Sequence, residues 1–388
     1  MKKIRVALVA AACTAAAVRG TAIGDEARVV RARDIGIPFD FGEPGRYNAI
    51  TDVPGVEVGH VTLIEGDDVR TGVTVVLPRG KSDAAKGPCF AGSYALNGNG
   101  EMTGLPWLEE SGLLDGPVAI TNTNAVGVVR DALIQYAARR WPAKGDGWTA
   151  WSLPVVAETW DGDLNDIYGA HVKAVHLDRA IEAARTGPVA EGGVGGGTGM
   201  ICYEFKGGIG TASRRLAAAD GGYTVGVLVQ ANHGLRHQLR IAGFPVGREI
   251  RDDLVRSRDS GSIIILVATD APLLPHQAKR LARRAALGLA RTGSVAGNGS
   301  GDLFLAFSTA NPHAGEADGL VALSMLPNDR MGALFEATVG ATEEAIVNAL
   351  VAGRTMTGRG GHRVVGLPQD QVRKILEKHA LAAPGSAR

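Results

Sequence analysis

The sequence predicts an α/β protein built in layers. Its strand-like runs are continuously apolar rather than alternating, as in sheets covered on both faces. Helical patterns with recognisable start and stop signals fall between them. The length, 388 residues with 45% hydrophobic content, allows a large core without covalent staples.

Strand candidates lie at 73–77, 117–121, 223–229, 263–268, 303–307 and 320–326. Between them, Asn124 is placed to cap a helix running to about residue 140. Residues 163–185 read as helical. Pro275–Arg291 opens with proline in its first turn and sets Lys279, Arg280, Arg283 and Arg284 on an outer face. In 342–352, Glu343 and Glu344 read as first-turn acids and Gly353 as the stop, which suits the helix dipole and C-cap rules. Residues 368–381 align Val372, Ile375, Leu376 and His379 on one stripe. The segment 248–260 is almost wholly charged or polar and reads as an exposed loop, open to nicking. It runs through Gly261-Ser262 directly into the apolar run IIILV.

Composition narrows the function. With 41 basic and 40 acidic residues the net charge is +1, so nucleic acid has no electrostatic footprint to bind. The 54 glycines are roughly twice the usual share of about 7%. They lack a three-residue period, and point to tight turns and close backbone approach. Cys13, Cys89 and Cys202 form no disulfide framework or zinc spacing; they read as small buried hydrophobes, with pairing of two of them, such as Cys89 and Cys202, as the open alternative. At the start, Lys2, Lys3 and Arg5 precede an apolar run over 6–18, then Ala22-Ile23-Gly24. This pattern is a signal peptide over residues 1–24. It is too short to span a bilayer, and no later run reaches the roughly 18 apolar residues a membrane helix needs. The expectation is a mature protein from Asp25 that is periplasmic or secreted and not held by a membrane.

Several familiar motifs fail. No frame of GGVGGGTGM (192–200) satisfies G-x-G-x-x-G, and Gly80-Lys81-Ser82 lacks the first glycine of a phosphate loop. His233 and His237 lack the glutamate of H-E-x-x-H and a third ligand. No G-x-S-x-G elbow is present. No cofactor and no metal are therefore expected. Hydrolytic chemistry has another source. Were the Gly261–Ser262 bond cut, Ser262 would carry a hydroxyl and a free α-amine. The reference pKa of such an amine, about 7.7–8.0, suits a general base at neutral pH. Nucleophile and base would share one residue. A plain turn at a strand start is the competing reading.

Further polar sites lie at strand ends. In NGSGD (298–302), Ser300 and Asp302 share one face if already extended, and Gly301 admits close approach. Such a pair can orient or relay a proton; a glycine-rich turn is the alternative. Asn232 ends one apolar run and could donate to an oxyanion. Glu158 ends another and could hold a substrate ammonium. A turn former and a surface carboxylate are their plainer readings.

Together these segments resemble the L-aminopeptidase/D-esterase-amidase family, which includes the bacterial β-aminopeptidases. The matching stretches are ALNGNGEMTG (95–104), VVAETWDG (155–162), EGGVGGGTGMICYEFKGGIGTASR (191–214), VLVQANHG (227–234), GSIIILVATDAPLLPHQ (261–277), GNGSGDLFLAFSTAN (297–311) and EEAIVNALVAG (343–353). The resemblance implies a four-layer αββα sandwich similar to N-terminal-nucleophile hydrolases but differently connected. It implies self-cleavage at Gly261–Ser262, giving chains of 25–261 and 262–388 within one catalytic domain. Ser262 would be the nucleophile, Ser300 and Asp302 its proton-transfer partners, Asn232 an oxyanion donor and Glu158 the amine anchor. Trp160 stands where some members carry tyrosine. It offers only an N–H donor, so it is expected to line the substrate pocket. The expected substrates are small peptides or aminoacyl amides and esters of L-, D- or β-residues, and the expected assembly is a homotetramer of two-chain units. Two other functions share the scaffold: an acyltransferase like the self-cleaving enzymes of arginine biosynthesis, and a non-enzymatic binding protein.

Overall fold

The computed structural model describes residues 30–81, 87–140, 153–258, 261–316 and 319–382. The signal-like segment 1–24 and Cys13 lie outside them. Chain order runs β1 (Glu57–Glu65), β2 (Val69–Leu77), β3 (Cys89–Gly98), α1 (Leu105–Ser111), β4 (Leu113–Leu114), β5 (Val118–Asn122), α2 (Val126–Arg140) and β6 (Val155–Thr159). It continues through α3 (Ala174–Ala183), β7 (Ile201–Cys202), β8 (Phe205–Lys206), β9 (Gly208–Arg215), β10 (Thr224–Asn232) and α4 (Val246–Glu249). The last elements are β11 (Ser262–Thr269), α5 (Pro275–Arg291), β12 (Gly301–Ser308), α6 (Gly332–Ala352) and α7 (Gln369–Ala382).

Two large sheets result among the described residues, with strand orders β1-β2-β5-β6 and β4-β3-β12-β11-β10-β9, beside two-stranded pairs such as β7-β8. Strand alternation sorts their side chains into three layers of core. Leu228, Ile264, Leu266, Leu303 and Leu305 of the larger sheet meet Val76, Val118 and Ile120 of the smaller one. On its other face, Val227, Val229, Ile263, Ile265 and Phe304 pack on Leu281 and Ala285 of α5 and on Ile346 and Leu350 of α6. Val73, Val75 and Val156 cover the outer face of the smaller sheet with Val129, Leu133, Leu177 and Ile181 of α2 and α3. The protein is thus the expected αββα sandwich. A β11 residue is buried whichever way it points, so its run is unbroken in sequence. Burial of each such large apolar side chain contributes roughly 1.5–3 kcal/mol.

The pairs β5–β6 and β11–β12 are parallel, and a parallel pair needs a crossover. Helices α2 and α5 provide it. The other ladders of the two sheets are antiparallel. The side chains of Cys89 and Cys202 are buried.

Several local expectations need correction. Residues 320–326 are not a strand; they run extended without a ladder, and Leu320, Leu323 and Met325 face outward. Apolar content alone mimics a buried strand, but this segment bonds to Asn311, Pro272 and Gln277 at single points rather than to a neighbouring strand. Only Ala174–Ala183 of 163–185 is α-helical, because Asp161 and the turn after it organise 163–169 differently. The cap before α2 is Asn122, whose Oδ1 accepts from Ala125 N at 2.9 Å, not Asn124. Helix α6 starts ten residues before 342, so Glu343 and Glu344 sit in its interior. They answer arginines from other parts of the chain rather than the helix dipole. Glu344 accepts from Arg33 and pairs with Arg214 at 2.8 Å, with both side chains of the latter pair fully buried. Gly353 is the C-cap, as expected, with φ −67°. Finally, of the expected exposed loop, the described residues 248–258 are exposed except at Ile250, which is buried, and Arg256, whose side chain turns inward; 259–260 lie outside the described residues.

Candidate active site

Register brings the predicted residues to one end of the larger sheet. Asn232, last in β10, lies opposite Ser262, first in β11. Ile263 pairs with Asp302 at the start of β12. Ser262, Asn232, Ser300, Asp302 and Glu158 are all buried, none more than 5% exposed. Buried polar groups of this kind need defined partners.

The Ser262 hydroxyl accepts from the Gly301 N–H at 3.1 Å. Ser300 Oγ donates to Asp302 Oδ1 at 2.6 Å, the same-face pairing that i, i+2 spacing implies. The ladder from β12 to β3 shifts register between Asp302 and Leu303, which interrupts strict alternation beside the site. Asn232 is held at both ends of its amide. Oδ1 accepts from Ile201 N at 2.8 Å and from Arg256 Nη2 at 3.3 Å. Nδ2 donates to the Trp160 carbonyl at 2.8 Å. One of its two N–H bonds is thereby committed and the other remains for a ligand. Trp160 enters the site through its main chain, while its indole crowds Gly162.

Gly261 is pressed against the end of β10. A Cβ there would sit 1.7 Å from the Asn232 carbonyl oxygen and 2.9 Å from Arg256 Nη1. No side chain fits at the residue preceding Ser262.

Glu158 ends β6 on the facing sheet. Its Oε1 accepts from Glu101 N at 2.9 Å, and Oε2 accepts from the Thr123 hydroxyl. Burial pushes its pKa above the ordinary value, against the lowering effect of those two bonds. Gly100 joins it to the serine side of the site: a Cβ there would sit 3.2 Å from both Glu158 Oε1 and Gly301 Cα. The asparagines of the 95–104 run pin the opposing glycine-rich loop. Asn97 Nδ2 donates to Gly297 O at 2.6 Å and Asn99 Nδ2 to Gly299 O at 2.8 Å.

Sequence reasoning missed several residues of this region. Lys206 is fully buried, and its Nζ donates to the carbonyls of Gly197, Met200 and Gly207. Burial drives its pKa down to about 7. It fastens the 192–200 glycine run, including Met200, whose neighbour Ile201 bonds Asn232. Arg256 and Asp163 form an ion pair at 2.9 Å beside Asn232. An isolated arginine in a polar stretch gives no sequence signal of burial. His233, adjacent to Asn232, is neutral at ordinary pH, since burial takes its pKa down to about 3. Among the described residues, no three His, Cys, Asp or Glu side chains gather to hold a metal ion.

Chemically, the site offers a buried hydroxyl at a strand start, an amide N–H on the paired residue and a carboxylate separated from the serine loop by Gly100. That combination defines a hydrolase built to take an acyl group bearing a free amine. Comparison with known proteins narrows the class. Residues 48–364 match the family model for peptidase family S58. "Beta-peptidyl aminopeptidase BapA" of Sphingosinicella microcystinivorans is 52% identical over 374 residues, covering 90% of this chain and 92% of that one. The solved structure of a Burkholderia sp. beta-aminopeptidase superposes with TM-score 0.83 at 54% identity, over 90% of this chain and 99% of the other. A structure from Ochrobactrum anthropi superposes with TM-score 0.85 at 44% identity, over 91% and 99%. That protein is an L-aminopeptidase D-Ala-esterase/amidase, described as a prototype serine aminopeptidase and a variant of the Ntn-hydrolase fold. The chain belongs to peptidase family S58 and is a serine aminopeptidase with this fold variant.

Proposed function

We propose that the protein is an exported aminopeptidase that activates itself by cutting Gly261–Ser262. The observation that carries this reading is the placement of that bond. Its glycine is wedged on Asn232, and its serine is buried at the start of β11, paired with Asn232 and accepting from the Gly301 N–H. In the first reaction Ser262 Oγ attacks the Gly261 carbonyl carbon and gives up its proton to a base. The C–N bond breaks, the Ser262 nitrogen takes a proton, and the acyl group rests on Oγ as an ester. Water hydrolyses that ester, leaving a Gly261 carboxylate and Ser262 with a free hydroxyl and α-amine.

In turnover the same hydroxyl attacks a substrate carbonyl. Glu158 receives the substrate ammonium, and the free Asn232 N–H stabilises the oxyanion, a contribution of ~3 kcal/mol for one such donor. The leaving amine or alcohol takes a proton, and water releases the amino acid. Proton transfers fall to the Ser262 α-amine or to the Ser300–Asp302 pair. Trp160 lines the pocket. Peptides with N-terminal β-residues are proposed first among substrates, ahead of small L-residues and D-residue amides or esters, a ranking supported by the names of the relatives. Removal of residues 1–24, a periplasmic or secreted location and a homotetramer of two-chain units complete the proposal.

Intact-mass measurement tests the first step. The purified protein is expected as two chains that meet at residues 261 and 262, and Ser262→Ala as one inactive chain. A single chain with full activity would overturn the mechanism, as would processing of Ser262→Ala. A panel of β-alanyl, L-alanyl and D-alanyl p-nitroanilides ranks the substrates.

A further inference from the structure

The segment before the proposed cut is not a free loop. Three buried charged side chains tie it down at defined points. Glu204 Oε1 accepts from the backbone N–H groups of Val255 and Arg256, each at 2.9 Å, and its Oε2 accepts from Arg236 N at 2.8 Å. Arg236 returns the contact by donating to the carbonyls of Ile250 at 3.2 Å and Asp252 at 2.9 Å. Its guanidinium also stacks on the Phe205 ring, 3.4 Å from the centroid. Beyond this clamp the chain has only five residues to reach Gly261, so its path into the site begins from a fixed point.

Arg256 makes the last attachment. Its side chain is 5% exposed and spans three groups. Nη2 donates to Asp163 Oδ2 at 2.9 Å and to Asn232 Oδ1 at 3.3 Å. Nη1 donates to the carbonyls of Ile201 at 3.3 Å and Asn232 at 3.4 Å. The planar fork suits this, since it presents several N–H donors in fixed directions, which a lysine ammonium cannot reproduce. Two consequences follow for the cut. The bond to Oδ1 fixes which end of the Asn232 amide is donor and which acceptor, and so where its free N–H points. The bond to the Asn232 carbonyl places the guanidinium beside the surface on which Gly261 rests.

We propose that Arg256 is a positioning residue for self-cleavage: it bridges the linker to Asn232 and Asp163 and so holds the Gly261–Ser262 peptide in line for attack. This inference rests on the self-processing reading above. It assigns Arg256 a role in the approach geometry, not in bond breaking. Misplacement of reacting groups by about 1 Å can cost 10²-fold in rate, so the anchor matters even without touching the reacting atoms.

The test follows cutting of freshly made full-length chain by time-resolved intact mass. Arg256→Met is expected to slow it by about 10–100-fold, the range for losing a charged hydrogen-bond set. Arg256→Lys should recover part of the rate. Each substitution is also placed in the uncut Ser262→Ala chain, whose melting temperature reports folding alone. The expected result there is an unchanged melting temperature. Cutting of Arg256→Met at the parental rate would overturn the proposal. So would a loss of rate matched by a drop in melting temperature, which would make Arg256 merely structural. Cutting of Ser262→Ala itself would instead defeat the underlying reading, whatever Arg256 does.

Discussion

Glu158 is a carboxylate placed where burial works against its charge. Only one amide N–H and one hydroxyl offset the loss of water. The raised pKa gives a prediction with a definite sign. An ammonium binds the ionised form, so affinity should fall as pH drops through a value above the ordinary glutamate range. The competitive inhibition constant of a simple primary amine, measured against pH, checks this without involving proton transfer in turnover. Glu158→Gln should remove that dependence and lower kcat/KM by about 10²–10³-fold, as expected for truncating one side of a buried charge contact. At this scale the sequence was informative wherever a polar residue bounded an apolar run: Asn232 and Glu158 follow one, and Ser262 and Asp302 precede one. It was silent on Arg256, Asp163 and Lys206. Their burial depends on which distant carbonyls surround them, and nothing in their immediate neighbours encodes that.

Helix α6 shows what happens when an element is read from its local pattern alone. Its interior acids resembled a first turn because Glu-Glu before an apolar run is a common helix start. Their partners, Arg33, Arg214 and Arg291, come from elsewhere in the chain. Burial pushes the Glu344 carboxyl up, yet the bonds from Arg33 and Arg214 outweigh it and hold its pKa below the ordinary value. The strands of the larger sheet were legible for the opposite reason: buried on both faces, they need no partner information to look apolar. The helix meets that sheet over Gly210 of β9, where a Cβ would sit 1.9 Å from the Ala345 carbonyl oxygen. Gly210→Ala must therefore push α6 outward, and overpacking of this kind costs about 1–3 kcal/mol. Denaturant unfolding should show a lower midpoint with an unchanged slope.

Across the whole molecule, the order β4-β3-β12-β11-β10-β9 places strands from after residue 261 between strands from before it. Covalent continuity at that point contributes nothing to holding the sheet together once it has formed. The cut protein should elute as one species in native buffer and release two chains only in denaturant. On removal of denaturant, the uncut Ser262→Ala chain should refold in higher yield than the cut pair, because its central strands still arrive tethered to their neighbours. Equal yields would show that the tether plays no part in assembly.

That interleaving also makes the catalyst its own inspector. Gly261 meets Asn232 only when β10 and β11 are in register, and β11 is in register only inside a closed sheet. A chain that stalls on the way never presents the bond it is proposed to cut, and so never exposes an amine at Ser262. On the proposed self-cleavage, competence as a peptidase would be a certificate issued by correct folding.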